Sequence, residues 1–170
     1  MVPFPVTPSR PPQTFMLSEH FTIEEATTSD TAARKGIDNS HPSADVVSNA
    51  VRTAAKLEKV RALLNSPIHI NSWIRSLALN NLLGSKPTSQ HVSGEAVDFT
   101  ASQFGTPLDI CRLLISYKEL VRWDQLILEH TWIHISWKAT PNAIQRGEVL
   151  SLLSSNRFAV GLTDAEGKPY

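Results

Sequence analysis

The stretch Ser89-Gln90-His91-Val92-Ser93-Gly94-Glu95-Ala96-Val97-Asp98 changes character halfway along. Its first half is a polar loop in which Gly94 permits a tight turn after His91. Its second half opens a strand over about 95–100, where Asp98 projects away from Val97 and Phe99 because strand neighbours point to opposite faces. A second informative segment is Glu129-His130-Thr131-Trp132-Ile133-His134. It joins two apolar-rich runs, Trp123 to Glu129 and Trp132 to Trp137, and two runs so closely spaced predict a β-hairpin.

Outward from these segments the chain alternates helix and strand without a regular rhythm. Upstream, Ser43 caps a helix expected over about 43–65, in which Val47, Ala50, Ala54, Leu57, Val60 and Leu64 recur at three- and four-residue steps. Pro67 ends that pattern, Ile68 to Trp73 reads as a strand, and residues 76–83 suit a short helix ending at Gly84. Ser18 or Thr22 is placed to cap a short helix near the start of the folded part. Downstream, Thr106-Pro107 opens a helix expected to run to about Glu119. Val149–Leu153 and Phe158–Leu162 suggest a second hairpin. This mixture predicts the α+β class.

Composition narrows the function. The chain has 170 residues, 41% hydrophobic and 19% charged, enough for one ordinary core. Sixteen basic residues offset sixteen acidic ones, which argues against a nucleic-acid-binding domain, since that class carries a marked basic excess. The single cysteine, Cys111, excludes an internal disulfide framework and a cysteine-rich zinc ribbon, and its helical neighbours Leu108, Leu114 and Ile115 mark it as a buried small hydrophobe. No stretch approaches the roughly 18 apolar residues of a membrane span. Residues 1–16 hold five of the eleven prolines and predict an extended arm. Their start, MVPFPVTPSRPP, lacks the basic-then-apolar order of a secretory signal.

Two histidines and a carboxylate form a ligand set that zinc accepts tetrahedrally, with a fourth position left for water. Taken alone, the pair His91 and Asp98 fits a structural polar loop as well as a metal site. The whole string Ser-Gln-His-x-x-Gly-x-Ala-x-Asp at 89–98, followed by Trp-Ile-His-Ile-Ser at 132–136, is more specific. It resembles the zinc D-Ala-D-Ala carboxypeptidase family, which includes L-alanyl-D-glutamate endopeptidases of phage endolysins and shares its fold with the Hedgehog signalling domain. The resemblance runs from about Phe21 to Trp137. It implies a central antiparallel sheet with flanking helices and one Zn2+ per chain, held by His91, Asp98 and His134. The HExxH helix of the commoner zinc peptidases is absent from the sequence.

Many members of that family carry a carboxylate three residues before the second histidine ligand, where this chain has Thr131, which cannot act as a base at neutral pH. Strand geometry offers Glu129 instead. If His130-Thr131 is a two-residue hairpin loop, Glu129 pairs with Trp132 and Ile127 with His134, so Glu129 and His134 share a face with Cβ atoms about 7–8 Å apart. An exposed hairpin residue is the plainer reading of Glu129. The segment Ser72-Trp73-Ile74-Arg75-Ser76 resembles the family's Ser-Gly-Tyr-Arg-Ser, which implies that Arg75 faces the substrate or the developing oxyanion; a surface salt bridge is the alternative. Ser89 and Gln90 are expected to line the pocket or orient a ligand, and Trp132 to flank the cleft. His20, His41, His69 and His130 have no site expected of them.

The resemblance implies a zinc metallopeptidase that hydrolyses peptidoglycan stem peptides at a D-Ala-D-Ala or L-Ala-D-Glu bond, in an endolysin or a virion-associated muralytic protein. Such a protein is made in the host cytoplasm and reaches the wall after holin release or within the virion. On this reading residues 1–16 are an arm able to dock on virion proteins, residues 17–170 form the peptidase domain, and 141–170 add a C-terminal hairpin or extension. The alternative is a non-catalytic virion component that keeps the fold, for which Thr131 and the arm speak.

Overall fold

In the computed structural model, which describes residues 14–170, Thr22 opens the first helix with a capping box. Its hydroxyl accepts from the Glu25 amide while the Glu25 carboxylate accepts from the Thr22 amide, starting α1 (Ile23–Thr27). Ser29 caps α2 (Asp30–Lys35), which ends at Gly36 with φ +64°. Ser43 caps α3 (Ala44–Leu64), and Ala50, Ala54, Leu57, Val60 and Leu64 form its buried stripe. The arm expected at 1–16 lies, up to residue 13, outside the described residues.

There follow β1 (His69–Ser72), α4 (Leu77–Leu82), β2 (Ala96–Thr100), α5 (Pro107–Ser116), α6 (Lys118–Val121), β3 (Gln125–Leu128), β4 (Ile133–Ser136), β5 (Glu148–Leu152) and β6 (Phe158–Val160). The helix expected to run from 106 to 119 is therefore two. Tyr117 leaves helical geometry (φ −109°, ψ 26°), and one further turn carries Val121 into the core before Arg122 ends it at φ 47°. Among the described residues no helix is long and apolar enough to cross a membrane.

The six strands form one sheet in the order β1-β2-β4-β3-β5-β6. Four of its pairings are antiparallel; the fifth, β3 with β5, is parallel, so the sheet is mixed where an antiparallel one was expected. The reason lies at the start of β3. Asp124 there is wholly buried and accepts from the Arg146 amide and from both Arg146 Nε and Nη2, with Lys138 Nζ at 3.3 Å. These bonds bring the residue before Gly147 back to the end where β3 begins, and Glu148 N then donates to Asp124 O. Burial alone would raise the Asp124 carboxyl, but Arg146 holds it below the usual range. Residues 148–160 thus extend the sheet as the hairpin expected near the C-terminus.

One core lies between the sheet, α3 and α5. Trp73, Trp123 and Trp137 are each at most 1% exposed, and their indole N–H groups donate to Gly94 O, Glu148 O and Val121 O respectively. Cys111 belongs to this core, as its neighbours suggested, and burial pushes its thiol pKa up to about 12, leaving it inert.

Candidate metal centre

Pairing of β2 with β4 sets Asp98 directly opposite His134, and pairing of β3 with β4 sets Ile127 opposite His134. Because Val97 and Phe99 fill the core, Asp98 is turned to the other face of the sheet. His91 arrives from the loop before β2. Its amide oxygen accepts from Arg75 N, and the loop closes where Glu95 N donates to Gln90 O. Trp73 is the pivot. Its ring stands edge-on to Phe21 at 6.0 Å, its indole N–H donates to Gly94 O, and its carbonyl faces His91 Nδ1 at 2.7 Å.

Gly94 has φ +77°, and a Cβ there would lie 2.8 Å from the carbonyl oxygen of Val46 in α3. Both the left-handed backbone and the close approach therefore need glycine. Gly94→Ala is expected to cost about 1–3 kcal/mol of unfolding free energy in denaturant titration. An unchanged midpoint would mean that the loop relaxes away from α3 without loss.

Three donor atoms converge. His91 Nε2, Asp98 Oδ1 and His134 Nδ1 lie 3.2, 2.8 and 3.2 Å apart around their triangle. A tetrahedral zinc with bonds of about 2.0–2.1 Å has donor–donor edges of about 3.3 Å, so the triangle is close to the size the ion requires. Protonation supports the fit. The Trp73 carbonyl can only accept, so Nδ1 of His91 carries the proton and Nε2 of the neutral ring presents a lone pair. That lone pair points at a carboxylate oxygen and a second imidazole nitrogen, and a single proton cannot satisfy all three. A cation can. Burial lowers the pKa of His91 despite the Asp98 charge, which favours the neutral, ligating ring. Burial would raise Asp98, yet His91 and His134 hold it far below the usual carboxylate range.

Arg75 donates from Nη2 to Asp98 Oδ2 at 2.6 Å and from Nε to Ser72 Oγ at 2.8 Å. It is thus an interior ion pair against the donor triangle, with its side chain only 13% exposed, rather than a surface salt bridge. The hairpin has the register expected of a two-residue loop. Leu128 pairs with Ile133, and Glu129 N donates to Trp132 O at 3.1 Å. Glu129, Trp132 and His134 accordingly share the face that carries Asp98. Burial, then the Asp98 charge, raises the Glu129 carboxyl above its ordinary value, against the pull of His134 and Arg75. The indole N–H of Trp132 lies near this carboxylate; it is buried and makes no hydrogen bond of good geometry with the described residues.

Thr131 sits exposed in the hairpin turn. Ser89 and Gln90 act here through their main chains: Ser89 O accepts from Val92 N, and Gln90 O from Glu95 N and Ser93 Oγ. The remaining histidines lie apart from the triangle, His20 on Glu58 and His41 on Asp38, both partly or largely exposed. Two contributors escaped the sequence reading. Ser72 opens the 72–76 segment but had no role read for it, and it receives Arg75 Nε; the Trp73 carbonyl, a main-chain atom that no motif marks, orients His91.

The family model described as Peptidase M15 matches residues 19–136, which span every side chain of this centre. No curated protein matches the chain.

Proposed function

Since the chain belongs to the peptidase M15 family, we propose that it is a zinc-dependent peptidase hydrolysing peptidoglycan stem peptides, with His91, Asp98 and His134 holding one Zn2+. The observation that carries this reading is the buried triangle of donor atoms, which has the size and chemistry of a zinc site and which a single proton cannot satisfy. When bound, zinc supplies Lewis acidity toward a peptide carbonyl and makes water nucleophilic near neutral pH.

The chain's own residues do the rest. Glu129 takes the proton of the attacking water on its carboxylate and delivers it to the leaving amine. Burial and the Asp98 charge raise its carboxyl above the ordinary value, which makes it a stronger base toward water and lets it hold the proton until the amine leaves. Arg75 Nη1 makes no hydrogen bond with the described residues and is left for a substrate carboxylate or the developing oxyanion, while Nη2 stays on Asp98. Trp132 flanks the cleft, offering an apolar wall and an indole donor; Ser89 and Gln90 line the approach through the loop they shape.

Both D-Ala-D-Ala and L-Ala-D-Glu bonds fit this chemistry, in a lysis enzyme or a virion-associated one. Purified peptidoglycan incubated with the protein is expected to yield new peptide termini by mass spectrometry, and those termini name the bond. A chelator should suppress the reaction and added zinc restore it. A chain that binds zinc but releases nothing would instead support a non-catalytic component that keeps the fold, the reading Thr131 favours.

A further inference from the structure

Ile74 N donates to Ala26 O and Arg75 N to His91 O, but no strand among the described residues pairs with the chain after β1. Its ladder with β2 is irregular between Ile70 and Ser72 and ends at Ser72, yet Trp73 and Ile74 are buried and the next residue, Arg75, must meet Asp98. The Ile74 carbonyl and the Ser76 N–H, on either side of Arg75, would be orphans without a partner from elsewhere.

That partner is Asn39, in the connection between α2 and α3 and 8% exposed. Its Nδ2 donates to Ile74 O at 2.9 Å and to Thr27 O at 2.7 Å, and its Oδ1 accepts from Ser76 N at 2.7 Å. The amide orientation is fixed by these partners, since two carbonyls require donors and one N–H requires an acceptor. Asn39 thus grips the chain immediately before and immediately after Arg75 and ties it to the end of α1. Only an asparagine-sized amide supplies two donors and an acceptor here: aspartate keeps the Ser76 bond and loses the other two, and alanine loses all three.

We propose that Asn39 is a positioning residue for the metal centre: by fixing the main chain on both sides of Arg75, it seats the guanidinium on Asp98 Oδ2 and thereby aims Asp98 Oδ1 at the metal. The chain of contact is continuous, from Asn39 to the 74–76 main chain, along Arg75 to Asp98 Oδ2, and through the carboxylate to Oδ1 in the donor triangle. Groups that orient a ligand in this way typically alter metal affinity by about 10–100-fold. The proposal rests on the zinc reading given above.

Zinc affinity, measured by competition with a chromogenic chelator on the full chain, tests it. Asn39→Ala is expected to weaken zinc by about 10–100-fold. Leu57→Ala, wholly buried in α3 and outside the centre, serves as the control: it lowers the melting temperature and leaves zinc affinity within about twofold. Combining Asn39→Ala with Arg75→Met should add little to the loss from Arg75→Met alone, because Asn39 acts through Arg75. Should Asn39→Ala fail to fold, the isosteric Asn39→Asp carries the same expectation with a smaller loss. Wild-type zinc affinity in the Asn39 variants, or fully additive losses with Arg75→Met, overturns the positioning role and leaves the zinc reading standing. A wild-type chain that takes up no zinc overturns both.

Discussion

His91→Ala is expected to lower bound zinc from about one ion per chain to almost none, and to cut hydrolysis by ~10³-fold or more, since the ion supplies several kcal/mol of transition-state stabilisation. His91 is the ligand whose loss is hardest to repair. Its ring is 3% exposed and is held by the Trp73 carbonyl on one side and the triangle on the other, so a neighbouring side chain has no room to replace it. A second readout is independent of turnover. Ligand binding to the native state alone stabilises it by about 4 kcal/mol at a thousandfold excess over Kd, so zinc should raise the wild-type melting temperature and leave that of His91→Ala unmoved. Elemental analysis and a thermal scan check both statements. An alanine variant that keeps its full complement of zinc would remove His91 from the ligand set.

Glu129→Gln should retain zinc and lose about 10²–10⁴ in kcat, the usual contribution of a positioned general base. Glutamine keeps the shape and the main-chain bond to Trp132 while removing the proton acceptor. The pH profile gives the second test. Burial and the Asp98 charge raise the Glu129 carboxyl above the ordinary 4.5, with His134, Arg75 and the Trp132 indole opposing them. The working form is the carboxylate, so activity is present above the raised pKa and is lost as pH falls through it. The acid limb should therefore start at higher pH than an unperturbed glutamate gives, and it should vanish from the residual activity of Glu129→Gln. A variant with full activity and bound zinc would place the base elsewhere.

The two predictions differ in how far the sequence alone supports them. His91 and Asp98 stand in a local string whose spacing is legible without coordinates: a glycine turn, then a strand whose alternation turns Asp98 away from Val97 and Phe99. Glu129 was legible only conditionally. Its face depends on the parity of the hairpin loop, and His-Thr is not a sequence that declares a tight turn, so the Leu128–Ile133 pairing had to be seen. The Arg75 environment was less legible still. An arginine after a strand suits a surface pair as well as an interior one, and of its anchors only Ser72 is local; Asp98 and the Asn39 clamp come from distant parts of the chain.

The parallel pairing of β3 and β5 shows the same limit at the level of the fold. Periodicity located both strands and the second hairpin, because burial on one face leaves a local pattern. It carried no information on which strand β5 would join. That was decided by Asp124, whose buried carboxylate needs the charge of Arg146 and draws the returning chain to the start of β3. By itself, then, the sequence determined the α+β class, the positions of most elements and the burial of Cys111, consequences of local spacing and composition, while the donors of the candidate metal centre were named only through the resemblance to a zinc peptidase family. Tertiary structure alone decided the strand order, the side on which Glu129 lies and the seating of Arg75. Those depend on buried charges and main-chain groups finding partners far along the chain, and no local pattern records where such partners are.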